Sequence, residues 1–126
     1  VKAHLDTHVA LWMVAGEKRK LRPVDKHLRN ATLFVSPIVL VEMEVLREIG
    51  RIRSSVDDIL DILTADYGVE EASGDLREIG HEARLLSWTR DPFDRFLVAH
   101  ALAHRSVLLT ADQTIRMNCA KARWDD

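Results

Sequence analysis

Short apolar runs alternate along the chain with stretches in which apolar residues recur every three or four positions. Val1–Leu5 reads as a strand that ends at Asp6, followed by an apolar helix over Val9–Val14. Leu33–Val35 reads as a second, brief strand. Ser36 and Pro37 then supply an N-cap and a first-turn proline, opening a helix that Gly50 closes. Ser55 and Asp58 have capping-box-like spacing before the helical repeat of Val56, Ile59, Leu60 and Leu63, and Gly68 ends that helix. Val69–Ala72 is compatible with a third strand. Leu76, Ile79, Ala83 and Leu86 mark another helix. Asp91–Pro92 opens a mostly apolar helix to about His104, and Ser106–Thr110 is a strand-like run followed directly by Asp112.

This alternation predicts an α/β fold: a mostly parallel sheet covered by helices. No repeat, low-complexity tract or linker interrupts it, so residues 1–126 read as a single domain. In such sheets ligands bind beyond the carboxyl ends of the strands, where Asp6 and Asp112 fall.

With 47% hydrophobic and 30% charged residues, the chain has the balance of a folded domain with one core rather than a disordered segment. No apolar run reaches the ~18–20 residues of a membrane span, and Val1–Asp6 reads as a strand and its end rather than a signal peptide. The single cysteine, Cys119, cannot form an internal disulfide and suits a reducing, cytoplasmic setting. A net charge of −2 excludes a globally basic nucleic-acid binder. Locally, however, Lys18, Arg19, Lys20, Arg22, Lys26 and Arg29 face only Glu17 and Asp25, either as a solvated surface or as a phosphate-facing patch.

Glu42 is the most informative residue. It lies roughly 160° around its helix from Glu44, whose face also carries Arg47, Glu48 and Arg51. That places it among Ile38, Val39, Val45, Leu46 and Ile49, where a carboxylate is costly unless paired or bound to a cation. Asp6, Asp91 and Asp112 each have a plain alternative as helix N-caps. Capping explains Asp94, at the third helical position, less well. If Asp6, Glu42, Asp94 and Asp112 meet at one sheet end, they repel one another unless a positive ion joins them. Oxygen-only ligands favour Mg²⁺ or Mn²⁺ over zinc.

The stretches LDTHVALW (Leu5–Trp12), SPIVLVE (Ser36–Glu42), RDPFDRFLVAHAL (Arg90–Leu102) and LLTAD (Leu108–Asp112) resemble, in order, the motifs of PIN domains, and specifically the VapC-like toxins. The resemblance implies a three-layer α/β/α fold and Mg²⁺- or Mn²⁺-dependent endoribonuclease activity. It also implies homodimerisation and a cognate antitoxin protein that blocks the site. Carried over residue by residue, the four acids are Asp6, Glu42, Asp94 and Asp112, with Asp91 auxiliary and Thr110 as the hydroxyl residue near the site. Val41 stands where relatives often have an aromatic residue, and Ser87–Trp88–Thr89 replaces a more usual proline- and histidine-containing loop.

Arg90 and Arg95 flank these acids and are candidates for RNA phosphates or for surface ion pairs. Trp88 is the preferred candidate for base stacking, ahead of Trp12 and Trp124, and His8 lies close enough to Asp6 to take part. His100 and His104 have helical metal spacing but no further ligands, so packing or interface roles are preferred. The absence of GxGxxG, Walker and CxxC motifs disfavours nucleotide cofactors and zinc folds. The expectation is therefore an endoribonuclease. A non-cleaving PIN-like module that binds RNA or protein, and a DNA-directed nuclease, are the alternatives.

Overall fold

The computed structural model describes residues 1–125. Five strands, β1 (Lys2–Leu5), β2 (Thr32–Val35), β3 (Glu70–Glu71), β4 (Val107–Leu109) and β5 (Ala122–Arg123), form one sheet in the order β3-β2-β1-β4-β5. Every pairing is parallel. Helices flank the sheet, as the alternating pattern predicts: α1 (Thr7–Ala15), α2 (Lys18–Leu21), α3 (Asp25–Asn30), α4 (Pro37–Glu48), α5 (Val56–Tyr67), α6 (Leu76–Arg84), α7 (Pro92–Ala103) and α8 (Gln113–Asn118). The chain steps outward from β1 to β2 and β3, then returns to β4 on the other side. Right-handed crossovers in opposite directions leave a crevice at the carboxyl ends of β1 and β4.

The capping signals work as read. Ser36 Oγ accepts from Ile38 N, Ser55 Oγ from Asp58 N, and Gly68 ends α5 in the left-handed region with φ 68°. The helices α2 and α3 and the short β5 have no clear periodic signal. Lys18–Leu21 is four residues long and β5 only two, too short for a period to be visible.

The inward face of α4 differs from the expected one. Val39 and Met43 form its buried ridge, whereas Val45 is 39% and Ile49 62% exposed. Glu42 sits on the flank of that ridge, about 60° from Val39. Met43, not Val45, fills the core because α4 packs on α1, α5 and α7, which tilts the buried arc past Glu42.

Histidines hold α7 to the sheet. His4, fully buried in central β1, shares a 2.9 Å hydrogen bond between its Nε2 and His104 Nδ1. Burial and the neighbouring His100, His104 and Lys2 push its pKa down to about 3, so it stays neutral. His100 Nδ1 meets Ser36 Oγ at 2.6 Å and its Nε2 meets the Ser73 carbonyl at 3.0 Å, joining α7 to the first turn of α4. These are the packing roles expected for His100 and His104.

A Cβ added at Gly74 would lie 2.7 Å from Ile79 Cδ1 and 2.9 Å from the pinned His100 Nε2. Gly74→Ala should therefore destabilise the fold by about 1–3 kcal/mol, the usual cost of overpacking. Gly80→Ala, inside α6 with nothing within 4 Å, should stabilise it by about 0.5–1 kcal/mol. Urea denaturation of the two variants against the parent measures both; an inverted order would contradict the packing described for His100.

Candidate active site

The crevice between β1 and β4 is where the acids gather. Asp6 ends β1 and caps α1: its backbone N–H donates to the Leu109 carbonyl, and its Oδ1 accepts from Thr7 N at 2.7 Å. Its Oδ2 accepts from Thr110 Oγ1 at 2.6 Å, across 104 residues of sequence. Capping and membership of the acid cluster are thus both true of Asp6, which is 6% exposed.

Thr110 joins two acids. Its hydroxyl donates to Asp6 and accepts from Asp112 N at 3.0 Å, while Asp112 caps α8 by accepting from Ile115 N. Thr7 does the same on the other side. It is 1% exposed, and its Oγ1 donates to Glu42 Oε1 at 2.6 Å. Thr7 is the residue that sequence reasoning missed; its position directly after Asp6 was the available signal. Asp91 caps α7 through Phe93 N at 2.8 Å. Asp94, in the first turn of α7, accepts no hydrogen bond from the described residues.

These carboxyls lie close enough to shift one another's pKa. Burial pushes the Asp94 carboxyl up to about 7, reinforced by Asp91, Asp6, Asp112 and Glu42. Burial also raises Glu42, opposed by the Thr7 hydroxyl, with Asp6 and Asp91 adding to the rise. Asp6 is raised by burial against the lowering effect of the Thr110 hydrogen bond, His8 and the Thr7 N–H. His8 is exposed beside Asp6 and Glu42.

The expected substrate residues are spread more widely. Arg90 is exposed, with its Nη1 donating to the Ser87 carbonyl at 2.7 Å. Arg95 donates to the Thr89 and Ala83 carbonyls, bracing the loop before α7. Trp88 packs partly buried against the main core. Neither arginine forms an ion pair with the acids among the described residues.

The donor set suits a hard divalent cation: all oxygen, with one half-buried carboxyl, Asp94, that accepts no hydrogen bond among the described residues. Among the described residues, no three His, Cys, Asp or Glu side chains stand close enough to share an ion directly. Mg²⁺ keeps several of its waters and binds through one or two carboxylates, so it does not require three side chains in direct contact.

A family model for the PIN domain matches residues 3–119. The chain belongs to the PIN domain family. PIN domains generally use divalent metal ions, in keeping with this donor set. In fold, this PIN domain is similar to a solved structure of VapBC2 from Rickettsia felis bound to a DNA fragment from its promoter. That match has a TM-score of 0.71 and 17% identity, over 99% of this chain and 100% of that one. It is also similar to VapBC-1 from nontypeable Haemophilus influenzae, with a TM-score of 0.66 and 20% identity, over 100% of this chain and 98% of that one. No curated protein is significantly similar in sequence.

The raised carboxyls set a pH dependence. The folded protein keeps a proton on Asp94 that the unfolded chain releases near pH 4, so stability falls as pH rises from about 4 to 7. Glu42 and Asp6, raised in the same direction, add to that slope. In EDTA, Asp94→Asn should flatten the decline in melting temperature between pH 5 and pH 8. An unchanged slope would show that Asp94 is not the group responsible.

Proposed function

We propose that this PIN domain is a metal-dependent endoribonuclease, the toxin of a toxin–antitoxin pair. The observation that carries the reading is the convergence of Asp6, Glu42, Asp94 and Asp112 in one crevice, with Asp94 unpartnered and pushed to about 7. So many carboxylates at one place are a liability for a scaffold that only binds, because each raises the cost of its neighbour's charge.

Asp6, Glu42, Asp94 and Asp112 would hold Mg²⁺ or Mn²⁺, with Asp91 adding negative charge at the rim. Bound there, such an ion supplies Lewis-acid stabilisation of charge on the phosphate and leaving oxygen, and acidifies a water. Thr7 and Thr110 orient the carboxylates, each spending its hydroxyl hydrogen on one acid. Asp94, which accepts no hydrogen bond from the described residues, has both carboxylate oxygens free to help hold the ion. His8 and Arg90, exposed around the acids, are the groups best placed to meet RNA phosphates. The carbonyl contacts of Arg95 favour a structural role for it.

The partners follow the same logic. An antitoxin would silence the site by inserting an Arg or Lys among the acids. Homodimerisation is supported by an apolar cleft of about 470 Å³ between α4 and α6, lined by Val41, Phe96 and Leu76 among others. Leu76 is 73% exposed at its edge, a knob beside a hole that a two-fold axis could pair. A cytoplasmic location fits the lone buried thiol of Cys119 and the lack of any helix long and apolar enough to cross a membrane among the described residues.

Labelled single-stranded RNA should be cut in Mn²⁺ and left intact in excess EDTA, with DNA of the same sequence cut far less. RNA binding without cleavage in Mn²⁺ would favour a binding module, and preferential DNA cleavage a DNA-directed nuclease. Glu42→Gln should abolish cleavage, whereas Glu44→Gln, which only breaks the surface pair with Arg47, should leave the rate within about twofold. Equal losses in both variants would count against the assignment of Glu42.

A further inference from the structure

A cleft of about 360 Å³ opens between α8 and the end of β5, lined by Gln113, Arg116, Met117, Ala122 and Trp124. Both of its walls start at the acids. Gln113 directly follows Asp112. Trp124 directly follows Arg123, whose carbonyl accepts from the Thr110 N–H at 3.3 Å, and Thr110 holds Asp6. One wall of the cleft is thus a single residue along the chain from Asp112, and the other is linked to Thr110 through the Arg123 carbonyl.

Its side chains match a nucleotide. Trp124 is partly buried and offers an indole face. Its ring is backed by Trp12, whose centroid lies 5.9 Å away, so it is held in place before any ligand arrives. Trp12 in turn carries Lys20 Nζ at 5.4 Å from its centroid and His8 at 6.2 Å between rings. This row of aromatic rings and cations runs along α1 away from the acids. On the opposite wall the Gln113 amide can both donate to and accept from a base edge, and Met117, 80% exposed, offers a polarisable contact for a second ring face. Arg116 is exposed and forms no ion pair among the described residues, leaving its guanidinium for a phosphate. Aromatic faces flanked by cations are what single-stranded nucleic acids bind, largely without regard to sequence.

We propose that this cleft is a nucleotide subsite in which a base of single-stranded RNA stacks on Trp124 beside the scissile phosphate, with Arg116 on its phosphate and Gln113 on its edge. The proposal rests on the ribonuclease reading above. It also explains how an anionic strand can approach an acidic crevice in a chain of net charge −2: the attraction comes from the side, through Arg116 and Lys20.

Binding and turnover are measured separately. In EDTA, anisotropy of a dye-labelled single-stranded RNA decamer gives the Kd; in Mn²⁺, initial rates give kcat and KM. Arg116→Ala and Trp124→Leu should each raise Kd and KM roughly fivefold to tenfold, the range expected for losing one stacked base or one phosphate contact, and leave kcat within about twofold. In a Trp88→Phe background RNA should quench the remaining indole emission, and Trp124→Leu should remove most of that quench. Arg116 is exposed and outside the core, so its variant keeps the test valid if Trp124→Leu folds poorly. If wild type binds and cleaves RNA and the Arg116→Ala Kd is unchanged, the subsite is refuted and the ribonuclease reading stands. If wild type neither binds nor cleaves RNA, both fall. If the variants keep their RNA affinity but escape inhibition by a co-purified antitoxin, the cleft is a protein contact and the proposal is wrong.

Discussion

Asp6 stands where three demands meet. Its backbone continues the β1–β4 hydrogen bonding, its Oδ1 caps α1, and its Oδ2 takes the Thr110 hydroxyl. Almost wholly removed from water, its carboxyl is held by these converging donors, which only partly offset the burial that raises its pKa. From that point two hydroxyls extend the arrangement outward: Thr110 to the cap of α8 at Asp112, and Thr7 to Glu42 on α4. The acid cluster is thus wired into the sheet and helix ends rather than laid over them.

Asp94 is the exception that makes the cluster chemically live. The other acids have donors, whereas Asp94 accepts no hydrogen bond among the described residues and is raised by burial and by the neighbouring carboxylates. The fold gives up stability near neutral pH to keep it there, a common feature of functional sites. What holds Asp94 in place is the docking of its helix. The His100 bonds to Ser36 and Ser73, and the His4–His104 bond, tie α7 to α4 and to the central strand. Because Ser36 begins the helix that carries Glu42, one buried imidazole sets the spacing between the Glu42 and Asp94 helices.

Charge is divided around this centre. Acids occupy the crevice, whereas Lys20 stands over Trp12, Trp12 meets Trp124, and Arg116 lines a cleft with Trp124. Low net charge is therefore no argument against a nucleic-acid substrate when the separation of charge is local.

Much of this was legible before any coordinates. The alternation of strand-like runs with helical periods required a parallel sheet. Cap residues located most helix starts, and the unusual facing of Glu42 and the redundancy of Asp94 beside Asp91 singled out acids that capping alone did not explain. Periodicity works because burial on one side of an element imposes a repeat within that element. It fails where an element is too short to repeat, as in Lys18–Leu21 and β5, and where a helix packs on several neighbours, as α4 does when it buries Met43 and exposes Val45 and Ile49. Only the tertiary structure decided that Thr110 belongs to Asp6, that Thr7 belongs to Glu42, and that Trp124 faces Trp12. These contacts span 104, 35 and 112 residues. No local pattern encodes them, because they arise from where the crossovers return each strand end, not from the sequence on either side of it.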